Sequence, residues 1–83
     1  MHLLTFEISQ ENQQLIIHGD PEGLRFLCDA INRLVENTKD RAFDHTHLMT
    51  QEWGGDELSS ESQGGQLVNQ VKIYCWKTDK DSE

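Results

Sequence analysis

Basic residues are scarce in this chain: 7 Lys and Arg stand against 15 Asp and Glu in 83 residues, for a net charge of −8 with the histidines neutral. Phosphate backbones and anionic lipid repel such a protein, so neither nucleic acid nor a membrane surface is an expected partner. Cysteine is nearly absent. Cys28 and Cys75 are too few for a disulfide scaffold and form no CxxC pair. They read as buried thiols in a reducing compartment, which implies a cytoplasmic protein. No apolar run approaches the roughly 20 residues of a spanning helix. Met1 to Ile8 lacks the basic start and the small-residue cleavage site of a secretory leader. The shortness of the chain excludes a two-domain enzyme with a deep cleft, and leaves one small core.

Proline occurs once, and its context is the sharpest local signal. Asp20 is a good N-cap, since its carboxylate can accept from the free amides of a first helical turn. Pro21 suits the first helical position, where no amide is needed, and Glu22 suits the positive end of the helix dipole. Leu24, Leu27, Cys28, Ile31, Leu34 and Val35 then follow helical spacing as one stripe, and the helix is expected to end between Asn37 and Asp40.

Strict alternation marks the strands. Leu3 to Ser9 places Leu4, Phe6 and Ile8 on one side and Thr5, Glu7 and Ser9 on the other. The polar turn Glu11-Asn12-Gln13 leads to a second strand, Gln14 to His18, and the two read as a hairpin. Asp44 to Thr50 and Leu67 to Trp76 are the third and fourth strands. The pattern predicts an α+β domain over residues 1–76, in the order β-β-α-β-β, with an antiparallel-rich four-stranded sheet and one helix packed on one face. Residues 77–83 read as a charged, disordered tail. The covered face is expected to hold Leu4, Phe6, Ile8, Ile17, Leu48, Val71, Ile73 and Cys75 against the helix stripe, Ile31 included.

The uncovered face then holds Ile16, His18, His45, His47, Met49, Lys72, Tyr74 and Trp76. Aromatic residues there are interface chemistry, offering large area, low rotamer cost and a polar handle. The alternative is that the long polar connection from Gln51 to Gln66 folds back over them. His45 and His47, at i and i+2 on a strand, point the same way. With His18 they make a weak zinc reading. Catalysis is not expected. Cys28 lies on the helical stripe, and Ser59, Ser60 and Ser62 have no strand-turn-helix elbow. The glycine pairs Gly54-Gly55 and Gly64-Gly65 have no phosphate-loop Lys after them. No cofactor is expected.

Residues 44–63 carry Asp44, Glu52, Asp56, Glu57 and Glu61 and no Lys or Arg. Trp53 sits among these acids. An exposed Trp ringed by carboxylates suits a basic protein partner; a Trp packed down onto the sheet is the plainer reading.

Four segments, taken in order and spacing, resemble the immunity protein 32 family: Gly19-Asp20-Pro21-Glu22-Gly23-Leu24, His45-Thr46-His47-Leu48, Glu52-Trp53-Gly54-Gly55-Asp56-Glu57-Leu58, and Val71-Lys72-Ile73-Tyr74-Cys75-Trp76. The resemblance runs from about Leu15 to Trp76. These are small bacterial proteins assigned to polymorphic toxin systems and encoded beside the toxin they neutralise. The resemblance implies an α+β fold, inhibition of a toxin by direct binding, and no catalytic residues. Glu52, Trp53, Asp56, Glu57, Tyr74 and Trp76 are the candidate partner-binding residues, with a basic toxin domain as the partner. The second reading is a homodimeric regulatory or scaffold domain that pairs through its open sheet face.

Overall fold

Asp20 caps a helix as its position demands: its Oδ1 accepts from the Gly23 amide at 2.7 Å, and α1 runs Pro21–Asn37. That bond holds the Asp20 carboxyl below its usual range. The structure, a computed structural model, describes residues 2–78. Before the helix come β1 (Leu4–Ser9) and β2 (Gln14–Gly19), an antiparallel hairpin that pairs Leu4 with Gly19, Phe6 with Ile17 and Ile8 with Leu15. After it come β3 (Phe43–Met49), a short 3-10 turn at Gln51–Trp53, the two-residue β4 (Gln66–Leu67), and β5 (Gln70–Trp76). Most of the predicted disordered tail, residues 79–83, lies outside the described residues.

The α+β class and the β-β-α-β-β order hold, but the four strands do not share one continuous sheet. One sheet has the order β2-β1-β4, and β3 pairs with β5 in a second. The predicted fourth strand is interrupted at Val68-Asn69. Its first part pairs with β1, through Glu7 to Leu67 and Ile8 to Gln66, and its second part pairs along β3 from Val71–Leu48 to Trp76–Phe43. The segment 66–76 therefore passes from one sheet into the other.

The helix follows the second sheet. Its N-terminus is tied to β1 by the bond from the Asp20 amide to the Leu3 carbonyl (3.1 Å). Gly23 makes that approach possible, because a Cβ there would run into the same carbonyl oxygen. At the other end, Lys77 bonds to the carbonyls of Ala42 and Lys39. α1 thus runs alongside β5 and packs on β3 and β5, reaching β2 near Gly19, where Leu24 sits.

This placement corrects the expected core. Leu4, Phe6, Leu48 and Leu58 form it, with Phe26, Leu27, Val68, Val71 and Ile73 packed against them. Ile8 (41%) and Ile17 (44%) are exposed, because no helix lies over the outer part of the hairpin. On α1 the buried positions are Gly23, Ala30 and Leu34. Ile31 (39%) and Val35 (49%) are open, and Cys28 is exposed rather than buried. The apolar arc of the helix is wider than a two-stranded layer can cover.

β1 is buried on both faces. Thr5 and Glu7, on the side opposite Leu4 and Phe6, are 0% and 1% exposed. The Glu7 carboxylate is the anchor of the long connection. It accepts from the Thr5 hydroxyl at 2.6 Å, from the Gln63 and Gly65 amides at 3.0 and 2.8 Å, and from the Ser62 hydroxyl at 3.1 Å. Gly64, between the two donor amides, has φ 125°, a backbone conformation that favours glycine. The Thr5 hydroxyl above all, then the amides of Gln63 and Gly65 and the Ser62 hydroxyl, outweigh burial and lower the carboxyl from 4.5 to about 2.

A carboxyl with a lowered folded-state value stabilises the fold most fully above its unfolded value. That stabilisation is expected to be complete above about pH 4.5 and to be lost as pH falls toward about 2. Glu7→Ala, which also strands two backbone donors, is expected to cost about 3 kcal/mol or more in urea denaturation at neutral pH. It should also flatten the acid limb of the stability profile. An unchanged acid limb would show that the clasp does not set acid stability.

Candidate functional site

The candidate residues fall on two separate surfaces. The first is the turn after β3. Thr50, 0% exposed, bonds through its hydroxyl to Asn69 Oδ1 at 2.8 Å and through its amide to the Asn69 carbonyl at 3.0 Å. Its own carbonyl accepts from the amides of Trp53 and Gly55, both at 3.0 Å. Gly54 closes the turn at φ 91°. Trp53 is thereby held outward, 56% exposed, on a turn fixed to the point where the chain crosses between sheets.

Glu52 and Asp56 flank Trp53 and are exposed. Glu57 is different. It is half-buried, its Oε1 accepts from the Met49 amide at 3.0 Å, and its carbonyl bonds His2 Nε2 at 2.7 Å. This carboxylate holds the turn against β3, whereas Glu52 and Asp56 present their charge to solvent. The adjacent Leu58 points inward as a core residue.

The second surface is the uncovered face of the β3–β5 sheet. Cross-strand pairing sets Phe43 opposite Trp76, His45 opposite Tyr74 and His47 opposite Lys72. The rings stack, with centroids 4.9 Å apart for Phe43–Trp76 and 5.0 Å for His45–Tyr74. Tyr74 (45%) and Trp76 (58%) stay exposed, so the long connection does not fold back over them. That connection covers Glu7 on the other sheet instead. Phe43 joins this ladder because β3 starts one residue earlier than alternation alone suggested. Trp53 follows the far end of β3 from Phe43 and Trp76, so it lies roughly 20 Å, a strand's length, from that end of the ladder.

His45 and His47 are edge-on neighbours at 4.8 Å. His18 is not beside them; it lies on the hairpin, 4.0 Å from Glu7. Among the described residues no group of three or more His, Cys, Asp or Glu is placed to hold a metal ion. A groove of about 350 Å³ between α1 and β3 is lined by Arg33, Asn37, Asp44, His45, His47 and Glu57 over an apolar floor that includes Phe26 and Leu34. No described helix is long and apolar enough to cross a membrane.

Residues 14–71 match the sequence model of the family described as Immunity protein 32, and the chain belongs to that family. Neither a curated protein nor a solved structure matches it significantly.

Thr50→Val removes the side-chain bond to Asn69 while preserving shape. It is expected to cost about 1–2 kcal/mol and to speed amide exchange at Trp53 and Gly55. Unchanged exchange at both amides would mean that the backbone bonds alone fix the turn.

Proposed function

We propose that this member of the immunity protein 32 family neutralises a cognate bacterial toxin by binding it directly, without catalysis, through the acidic turn that carries Trp53. The observation that carries the reading is an exposed Trp on a turn anchored by the buried Thr50, with Glu52 and Asp56 beside it. A large rigid side chain in that setting gives up little conformational freedom on binding and suits a hot spot. The net charge of −8 favours a basic toxin domain and speeds its capture. Glu57 acts by holding the turn rather than by meeting the partner.

The stacked ladder of Phe43, His45, Tyr74 and Trp76 supports a second reading, in which the toxin docks on the open sheet face. The two surfaces are far enough apart to be separated by single substitutions. In both readings the protein acts in the cytoplasm, where an unsecreted toxin threatens its own producer.

The test is co-expression with the product of the neighbouring gene, followed by binding kinetics. Trp53→Ala is expected to weaken the complex by about 2 kcal/mol or more, mainly through faster dissociation. Glu52→Gln with Asp56→Asn should slow association at low salt, and the difference should fade as salt rises. Glu57→Gln should lower stability more than it slows association. A non-toxic neighbour would overturn the immunity reading. Unaltered kinetics in the Trp53 and acidic variants, together with loss in Trp76→Ala, would move the site to the aromatic ladder.

A further inference from the structure

β3 pairs with β5 along one side only. Two bonds bracket that ladder and fix its phase, from the Thr50 amide to the Asn69 carbonyl (3.0 Å) and from the Lys77 amide to the Ala42 carbonyl (2.9 Å). Bonded pairs alternate along an antiparallel ladder, so Asp44, Thr46 and Leu48 exchange main-chain bonds with β5. The amides and carbonyls of His45, His47 and Met49 point to the other side. Met49 is satisfied there: its amide meets Glu57 Oε1 at 3.0 Å, and its carbonyl accepts from the Leu58 amide at 3.1 Å. The His45 amide has only an exposed bond to Asp44 Oδ1, at 2.8 Å. Among the described residues, nothing bonds to the His47 amide or to the carbonyls of His45 and His47.

This open edge is one wall of the groove between α1 and β3, lined by consecutive residues from Asp44 to Leu48. The helix is the other wall, through Phe26, Ala30, Leu34 and Arg33. At one end the residues 38–42 join α1 to β3, which sets Asn37 near Asp44. The opposite end is closed by Glu57, which bonds Met49 through its carboxylate and His2 through its carbonyl; the His2 ring stacks on Phe26 at 4.9 Å.

We propose that this groove binds an extended segment of a partner protein, which adds to β3 as a new antiparallel strand and carries a Lys or Arg at its Glu57 end. The wall to be satisfied dictates the occupant. His45 and His47 each offer an amide and a carbonyl to the same side, and a strand meets both residues with main-chain bonds, its own carbonyl replacing Asp44 Oδ1 on the His45 amide. The segment's residues opposite Leu48, Thr46 and Asp44 then face the helix, because side chains alternate. The middle one meets Ala30 and Leu34, both buried, and suits an apolar side chain. The one opposite Leu48 meets Glu57, whose Oε1 is committed to the Met49 amide and whose Oε2 has no partner among the described residues. At the other end Arg33 offsets Asp44, so Glu57 is the uncompensated charge of the groove and selects a cation. A second copy of the chain does not supply one: β2 and β3 contain no Lys or Arg, and Lys72 of β5 has the parity that would turn it away from the helix. The groove is separate from the Trp53 turn, and the proposal does not rest on the toxin reading.

The experiment is a titration of the full, isotope-labelled chain with a capped synthetic heptapeptide, followed by amide NMR. The peptide is Thr throughout except for Lys at its second position and Val at its fourth. The His45 and His47 amides are expected to shift saturably and to exchange more slowly with solvent. Glu in place of the peptide's Lys, or N-methylation of its third residue, should each weaken binding at least about tenfold. His47→Pro deletes an amide that β5 does not use, and should abolish the shift at His45 with the fold intact by circular dichroism; the N-methylated peptide makes the same test on the unaltered chain. No change at either amide up to millimolar peptide overturns the proposal. So does binding that survives N-methylation, which would be side-chain docking without a strand. Binding indifferent to the exchange of Lys for Glu overturns the choice of a basic segment. A chain that dimerises with both amides protected would give the edge to a second copy, and that too overturns it.

Discussion

A buried carboxylate organises this fold. Glu7 sits on a central strand, 1% exposed, and its two oxygens accept from Thr5, Ser62, Gln63 and Gly65. An isolated charge in that position would be costly, and only a full set of donors makes it tolerable. Those donors come from the long connection, so satisfying Glu7 brings residues 62–65 to β1. β4 then pairs beside Glu7 and Ile8, and the chain leaves β1 at Val68 to enter the second sheet. The inner face of Glu7 is thus covered by the connection, and the chain crosses between the sheets just after β4 pairs beside it.

The division has a consequence for the surface. A helix laid along a two-stranded layer covers that layer and leaves the hairpin bare, so Leu15, Ile17 and Ile8 remain 41–62% exposed. The same thin layer leaves one flank of the helix, with Ile31 and Val35, exposed. Thr50 and Asn69 anchor the Trp53 turn at the crossing point, while the stacked rings of Phe43, Tyr74 and Trp76 occupy the far end. A small core thus holds several separate exposed surfaces in place.

Local reading went furthest where chemistry and position coincide within a few residues. The Asp20-Pro21 cap, the helix to Asn37 and the hairpin follow from capping, alternation and turn polarity. The outward parity of Tyr74 and Trp76 followed from alternation along β5. Glu57 was legible as an acid but not as a brace, since its partner, the Met49 amide, is an ordinary backbone group without a sequence signature. Phe43 escaped the ladder because its place depends on facing Trp76.

The sequence by itself determined the capped helix, the hairpin, the acidic charge and the family. Each is set by neighbours in the chain or by composition, and hydrophobic periodicity reports which side of an element is apolar. It does not report how much of that side finds a cover. Tertiary structure decided that Ile31 and Ile17 stay open while Leu58 is buried, and that Glu7 turns inward. These outcomes depend on what lies opposite: Glu7 meets Gln63 across 56 residues of sequence, and the Leu4 amide meets the Ser59 hydroxyl across 55. Contacts of that range exist only once the whole chain has closed.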